Sequence, residues 1–146
     1  MLKIAQESHQ KLLFPQEIEV WVVLPAIRKA FAIGLINTGL SQKKVAQMLG
    51  ITEAAVSQYK SNKRAQETNI TKEIADEVKH SIPKIIETPQ ILFQEMMRVS
   101  NFIKSSGLFC RIHRSKSSTP DGCEKLCAYG SHANSTNNTN AGVHHG

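Results

Sequence analysis

Residues 42–63 read QKKVAQMLGITEAAVSQYKSNK, and this stretch decides the fold. Its apolar residues have the spacing of two short helices that cross at a tight turn, and they would meet beneath the crossing: Val45, Leu49, Ile51, Val56 and Tyr59. Ala46 is small where the second helix would press on the first. Gly50 lies at the turn, where a left-handed backbone strains other residues, and Thr52 is a good N-cap. Together these features predict a helix-turn-helix, with helices over 41–49 and 52–61.

Helical signals also precede this stretch. Residues 17–24 (EIEVWVVL) fit either a short strand or the first turns of a buried helix, and periodicity does not separate the two. Pro25 favours a helix that begins there. Gly39 is a plausible stop for this helix. Its apolar face has helical spacing and comprises Ile27, Ala30, Phe31, Gly34 and Leu35.

Two more helices are indicated downstream. One is predicted over residues 71–80, and Pro83 ends or bends it. Its apolar stripe repeats every four residues: Ile70, Ile74, Val78 and Ile82. Thr88-Pro89 is typical of a helix start, with Thr88 as cap and Pro89 as first residue, and Gly107 stops this last helix. Its apolar face comprises Leu92, Met96, Val99 and Ile103. No helical period follows Cys110, so the sequence predicts an all-α fold of five helices.

The chain divides into five predicted parts. They are an N-terminal extension (1–15), a helix-turn-helix core (16–66), C-terminal helices suited to dimerisation (67–107), a Cys/His segment (108–127) and a polar tail (128–146). Apolar residues thin out after about residue 110, so we expect a compact unit over 17–106. The tail has too few apolar residues to order itself and is expected to be poorly structured.

Positive charge is concentrated in two segments. The net charge of the 146 residues is +6. Residues 41–65 carry five cations against one acid, and residues 97–127 carry six cations against two acids. The first segment coincides with the predicted helix-turn-helix, which places cations where phosphates would lie.

Several classes of protein are disfavoured. The first residues lack the apolar run and cleavage site of a signal peptide, and no apolar run is long enough to span a bilayer, so we expect a cytoplasmic protein with no membrane partner. No Gly-rich phosphate loop or metalloprotease motif is present. Cys110 and His113 imitate a nucleophile and its base, but the segment lacks the apolar framework of a preformed cleft. We expect no catalytic residues.

The helix-turn-helix carries a family resemblance. LSQKKVAQMLGITEAAVSQYKSNKR (40–64) resembles the Cro/lambda-repressor, or XRE-type, class of DNA-binding proteins. The longer stretch that begins EIEVWVVLPAIRKAFAIGL at residue 17 resembles a family of archaeal predicted transcriptional regulators, over residues 15–127 in all and more loosely beyond the helix-turn-helix. The resemblance implies a lambda-repressor-like five-helix bundle that binds double-stranded DNA sequence-specifically, usually as a homodimer. A helix-turn-helix that binds RNA or a protein is the alternative.

The second helix of such a motif lies in the major groove. The candidate base-reading residues are Thr52, Glu53, Ala54, Ser57 and Gln58. An amide suits adenine, a carboxylate accepts from cytosine, and a methyl group contacts thymine; Glu53 is equally suited to be a first-turn acid that favours the helix dipole. The candidate phosphate-binding cations are Lys43, Lys44, Lys60, Lys63 and Arg64. The resemblance adds Ser41 and Gln42, which open the first helix.

The Cys/His segment has the spacing of a metal site. Cys110, His113, Cys123 and Cys127 form the pattern Cys-x2-His-x9-Cys-x3-Cys, and three thiolates with one imidazole suit tetrahedral zinc. Members of the resembled family often carry two further cysteines upstream of the SGLFC-like stretch. Those positions correspond to Met97 and Ser100 here, so zinc is favoured over an iron–sulfur cluster. Structural metal, a metal- or redox-responsive regulator, and ordinary free thiols all remain open.

The last helix offers a candidate dimer surface. The helix over residues 89–106 is predicted to have the most exposed apolar material: Phe93, Met96, Met97 and Phe102. Simple packing of these side chains on the core is the alternative.

Overall fold

The computed structural model describes residues 12–61, 69–123 and 127. The elements in chain order are α1 (Pro15–Ile18), a π-helical segment (Glu19–Val23), α2 (Leu24–Ile36), α3 (Gln42–Leu49), α4 (Glu53–Ser61), α5 (Asn69–Glu87), a 3₁₀ turn (Pro89–Ile91), α6 (Leu92–Ser105) and α7 (Leu108–Lys116). Every regular element within the described ranges is helical, which confirms the all-α prediction. The predicted polar tail, 128–146, lies outside the described residues.

The first helix is longer than the sequence indicated. α1, the π-helical segment and α2 follow without a break, so residues 17–24 are helix, and the predicted start at Pro25 is wrong. The helix begins at Pro15, and the preceding Phe14 N–H donates to the Glu17 carboxylate (2.8 Å). Pro25 has no N–H to offer the carbonyl four residues back. Just before it, the Leu24 N–H donates to the Glu19 carbonyl, five residues back, which is the π-helical pattern.

The turn between α3 and α4 has the predicted chemistry. Ser41 Oγ accepts from the Lys44 N–H (3.1 Å) and opens α3. Gly50 has φ +64°, in the left-handed region that favours glycine. Thr52 Oγ1 then accepts from the Ala55 N–H (3.1 Å) and opens α4. Two short helices joined by a glycine turn are therefore present where they were expected.

Both short helices pack on the core through the predicted residues. Val45 and Val56 are completely buried, and Ala46 is 4% exposed. Partly buried side chains complete the contact: Leu49, Ile51 and Tyr59. α3 and α4 contact each other and α2, so the long first helix supports the pair.

α5 runs through Pro83 to Glu87, so the predicted end at residue 80 is wrong. The buried stripe reaches Ile82 before the proline and continues past it to Ile85. Burying Ile85 contributes about 2 kcal/mol, which offsets much of the roughly 3 kcal/mol that a proline costs inside a helix. α5 also packs closely on α2, because a Cβ built on Gly34 would lie 2.8 Å from Ile82 Cδ1.

The next helical segment begins at the predicted position. Thr88 is the cap residue and Pro89 the first residue of the 3₁₀ turn that leads into α6, although the Thr88 side chain makes no cap hydrogen bond. The predicted core face is confirmed, with Leu92, Val99 and Ile103 buried and Met96 partly buried. Gly107, with φ +81°, separates α6 from α7.

α7 was not predicted, and the expectation of no helix from Cys110 onward is wrong. Leu108, Phe109 and Ile112 are buried in the main core. Three apolar residues within five positions are too few to show a period in the sequence, yet they cover one face of a two-turn helix. The compact unit therefore extends past residue 106, and the predicted boundary at 107/108 divides residues that pack together.

The first described residues are attached to the end of α7. His113 Nε2–H donates to the Leu13 carbonyl (2.6 Å), and the Leu13 N–H donates to Ser117 Oγ (2.8 Å). Leu13 also packs against the core. The segment 12–14 is thus attached to α7 through both backbone polar groups of Leu13, the N–H and the carbonyl.

A buried polar network joins α5 to α6. Glu95 is buried, and its carboxylate accepts from Ser81 Oγ (2.6 Å) and from Arg98 Nε (3.0 Å). The Arg98 guanidinium also donates to the carboxylate of Glu77 (2.9 Å) and to Ser81 Oγ (2.9 Å). Lys84 Nζ lies 3.7 Å from the second Glu95 oxygen. Among the described residues no buried side-chain polar atom lacks a hydrogen-bond partner.

Candidate nucleic-acid interface

The predicted base-reading residues share one exposed surface at the start of α4. All five are exposed to solvent: Thr52, Glu53, Ala54, Ser57 and Gln58. Glu53 and Ser57, and likewise Ala54 and Gln58, are four residues apart, so each pair lies on the same side of the helix. The opposite side is fixed by the buried Val56. The packing of Val56 therefore turns this polar face toward solvent, and none of the five side chains is buried in the core.

The size of α4 fits a duplex groove. An α-helix with its side chains is about 10–12 Å in diameter, and the major groove of B-form DNA is about 12 Å wide. The N-terminal turn of α4 carries the polar face, and the C-terminal end continues into residues 62–68, outside the described ranges. An end-on or tilted approach of α4 to base edges is therefore sterically feasible for this helix.

Three exposed lysines lie on the two helices of the pair: Lys43 and Lys44 on α3, and Lys60 in the last turn of α4. Within the described ranges none of them has an acidic partner within salt-bridge distance. Lys63 and Arg64, predicted to bind phosphate as well, lie outside the described residues. Three cations without local counter-charge are available for an anionic ligand.

The start of α3 contains the remaining predicted phosphate contacts. Ser41 is exposed, but its Oγ already accepts from the Lys44 N–H. Its hydroxyl hydrogen is still available for donation, because the cap uses only a lone pair. Gln42 is half-buried as the first residue of α3. Both residues lie on the same short helix as Lys43 and Lys44.

The predicted metal ligands are not brought together. Among the residues that the structure describes, no group of three or more His, Cys, Asp or Glu side chains could hold a metal ion. His113 uses Nε2 to bond the Leu13 carbonyl. Cys110 lies on α7 and is half-buried, whereas Cys123 and Cys127 lie one helical turn apart beyond it, with a backbone hydrogen bond of 2.9 Å between them. The four residues do not fit a tetrahedral site in this arrangement.

The predicted dimer face is divided by packing. Phe93 and Met97 are exposed, but Met96 and Phe102 pack partly against the core. A second group of exposed apolar side chains was not anticipated: Leu12, Phe14, Val20 and Trp21. The run VWVV at residues 20–23 could have predicted part of this exposure, because four consecutive apolar side chains of a helix cannot all lie on its buried face.

Three comparisons with known proteins gave no match to this chain, whether against protein-family models, curated proteins or solved structures. In the described part of the chain, none of the helices combines the length and the apolar character that crossing a bilayer requires.

Proposed function

We propose that this protein is a sequence-specific DNA-binding transcriptional regulator of the lambda-repressor-like class. The observation that carries the proposal is the exposed polar face at the start of α4, supported from beneath by buried valines and accompanied on α3 and α4 by exposed lysines without acidic partners in the described chain. α4 would enter the major groove, with Gln58 as the principal base reader. The lysines of α3 and Lys60 would neutralise phosphates and supply affinity that is independent of sequence.

Binding would involve more than one copy of the chain. A single reading helix contacts too few base pairs for tight specific binding, so homodimers on paired half-sites are expected. No catalytic step is part of this proposal. A metal-responsive version finds no support in the positions of the four Cys/His residues.

The test is selection of bound duplexes from random double-stranded DNA, with two variants of α4. Gln58→Ala should change the selected motif, because it removes a bidentate partner for adenine. Lys60→Ala should weaken binding to all sequences similarly and reduce the slope of log K against log salt by about one. Matched controls on the outside of other helices are Gln94→Ala and Lys72→Ala, which should alter neither quantity.

The outcomes separate the two candidate functions. An enriched motif that depends on Gln58 supports the regulator. Binding that selects no motif, together with tighter binding to RNA or to a protein, would show instead that the helix-turn-helix serves another partner. An enriched motif that is unchanged by Gln58→Ala would overturn the assignment of Gln58 as reader.

A further inference from the structure

One negative charge lies on the exposed face of α4. Glu53 is the sole acid in the sequence from Ser41 to Ser61, and it is the first residue of α4. Its side chain is exposed, and among the described residues no cation lies within salt-bridge distance of its carboxylate. Lys60, on the same helix, is two turns further along, about 10 Å away. The carboxylate is therefore available to a ligand that meets this face.

Acids on other helices are balanced by cations of the same chain. Glu19 pairs with Lys104 (2.6 Å), and Glu73 pairs with Arg111 (2.7 Å). Glu53 differs from them because it adds an unpaired negative charge to a surface that is otherwise positive or neutral.

The start of α4 does not require this carboxylate. Thr52 already caps the helix, because its Oγ1 accepts from the Ala55 N–H (3.1 Å). An acid that completes a capping box occupies the third helical position, which here is Ala55. What remains for Glu53 is the small, solvent-screened benefit of a negative charge in the first turn of a helix. Helix formation therefore explains little of the choice of an acid at this position.

In the major groove an ionised carboxylate meets mostly repulsion. It can only accept hydrogen bonds, whereas N7 and O6 of guanine, N7 of adenine and O4 of thymine are acceptors as well. The phosphates on both sides of the groove repel it too. On most sequences Glu53 thus opposes the attraction that Lys43, Lys44 and Lys60 supply.

The amino group of cytosine is the best partner for such a carboxylate. Cytosine N4 and adenine N6 are the donors on the major-groove edges of the bases. Adenine N6 lies between two acceptors, its own N7 and O4 of the paired thymine. Cytosine N4 has an acceptor on one side only, O6 of the paired guanine, because the carbon on its other side carries hydrogen. A carboxylate that approaches the edge of a base pair is therefore repelled least at cytosine.

We infer that Glu53 determines specificity by exclusion: its carboxylate accepts from N4 of a cytosine in the bound sequence and weakens binding to sequences that lack this cytosine. The inference rests on the proposed function, since it requires α4 in the major groove. Gln58 adds attraction for the right bases, whereas Glu53 lowers the affinity that the lysines alone would give to wrong ones. Discrimination of this kind comes from a repulsive element as well as an attractive one.

The test compares the full wild-type chain with Glu53→Gln in selection from random duplexes. The wild-type motif should contain a cytosine that Glu53→Gln replaces by adenine, because an amide pairs with N6 and N7 of adenine. The rest of the motif should be unchanged. Gln58→Ala should alter a different position.

Titration of two fixed duplexes measures the cost and the gain. Glu53→Gln should bind the wild-type motif about tenfold more weakly, as expected for the loss of one base contact. It should bind an unrelated duplex about threefold more tightly at low salt, the effect of one unit charge near a phosphate in water. That gain should shrink as salt is added, because exposed charges are screened. Glu87→Gln, at the exposed end of α5, changes the net charge equally and should alter neither affinity.

Glu53→Asp separates this role from helix stabilisation. It retains a first-turn acid, so the melting temperature should stay that of the wild type, but its carboxylate reaches less far. Its affinity for the unrelated duplex should remain low, and its preference for cytosine should weaken. A residue that only stabilised α4 would change the melting temperature in Glu53→Gln and leave the preferred bases alone.

Three results would overturn the inference. They are a motif that Glu53→Gln leaves unchanged, a base other than cytosine at the affected position, and an equal loss of affinity for both duplexes. If one of them occurs while Gln58→Ala still alters the motif, the role of Glu53 is wrong and the proposed function stands. A wild type that selects no motif would overturn both.

Discussion

Replacing Arg98 by methionine tests the buried network between α5 and α6. Methionine retains the apolar stem of the arginine and removes the guanidinium. That group donates to Glu95 (3.0 Å), Glu77 (2.9 Å) and Ser81 (2.9 Å). After the substitution, Glu95 remains buried with its charge balanced only by Lys84 at 3.7 Å and by the Ser81 hydroxyl.

The expected cost follows from the burial of the pair. Removing one partner of a fully buried ion pair costs about 3–5 kcal/mol. The side chain of Arg98 is 38% exposed and that of Glu95 is 12% exposed, so water reaches part of the network and screening reduces the cost. We expect Arg98→Met to lower the free energy of unfolding by about 2 kcal/mol. For a chain of this length that loss lowers the melting temperature by about 4–8 °C.

Urea unfolding at neutral pH measures the loss, and Arg111→Met is the matched control. Arg111 also makes a two-point contact with an acid, Glu73 (3.1 and 2.7 Å), but at the surface. Its replacement should leave the unfolding midpoint unchanged, because exposed pairs contribute little. The same Arg98→Met change in a Glu95→Gln background should cost at least about 1 kcal/mol less, since the two groups are coupled. Equal costs for Arg98→Met and Arg111→Met would refute the reasoning.

The network also predicts how the free energy of unfolding changes at acid pH. The hydrogen bond from Ser81 lowers the pKa of Glu95 below its ordinary value of 4.5, with Arg98 and Lys84 acting in the same direction and burial opposing them. A lowered pKa in the folded state stabilises the fold above pH 4.5, and the stabilisation is lost as pH falls through the folded-state value. Glu95→Gln should therefore be less stable than the wild type at pH 7, and the difference should shrink below pH 4.5. A constant difference across that range would contradict the assignment.

Three further substitutions test the packing. Gly34→Ala should lower the free energy of unfolding by about 1 kcal/mol, because the new Cβ would lie 2.8 Å from Ile82 Cδ1 and 3.0 Å from Ile82 Cγ1. In an Ile82→Ala background, which lacks both atoms, the same change should stabilise, since alanine favours a helix. Gly50→Ala should cost about 1 kcal/mol in thermal unfolding, because φ is +64°. Ser117→Ala should cost about 1 kcal/mol in thermal unfolding, because it deprives the Leu13 N–H of its acceptor, and an unchanged stability would show that water replaces the hydroxyl.

The local chemistry of the helix-turn-helix could be predicted from the sequence because each feature depends on near neighbours. The Ser41 and Thr52 caps bond to amides three residues away, and the left-handed turn needs only Gly50 itself. The exposed face of α4 follows from the same register, since Val56 is buried and Gln58 is then turned outward. Whether that face binds DNA stays a prediction.

The elements that were missed depend on distant partners. α7 is helical because Leu108, Phe109 and Ile112 find a core to cover, and nothing within nine residues shows that core. α5 continues past Pro83 because Ile85 is buried against other helices. The network of Glu95 and Arg98 is also formed by pairing across two helices, and the sequence presents both residues as ordinary surface charges. The four Cys/His residues show the reverse case, in which spacing alone suggested a site that the fold does not assemble.

The two basic segments, similar in net charge, are not equivalent in the structure. In residues 97–127, three of the cations pair with acids from other segments: Arg98 with Glu77 and Glu95, Lys104 with Glu19, and Arg111 with Glu73. These pairs connect α6 and α7 to the rest of the bundle. The positive charge of the three side chains is therefore balanced by acids of the same chain. In residues 41–61, by contrast, Lys43, Lys44 and Lys60 are exposed without acidic partners in the described chain. The positive charge available to a polyanion is therefore more concentrated around α4 than segment sums indicate.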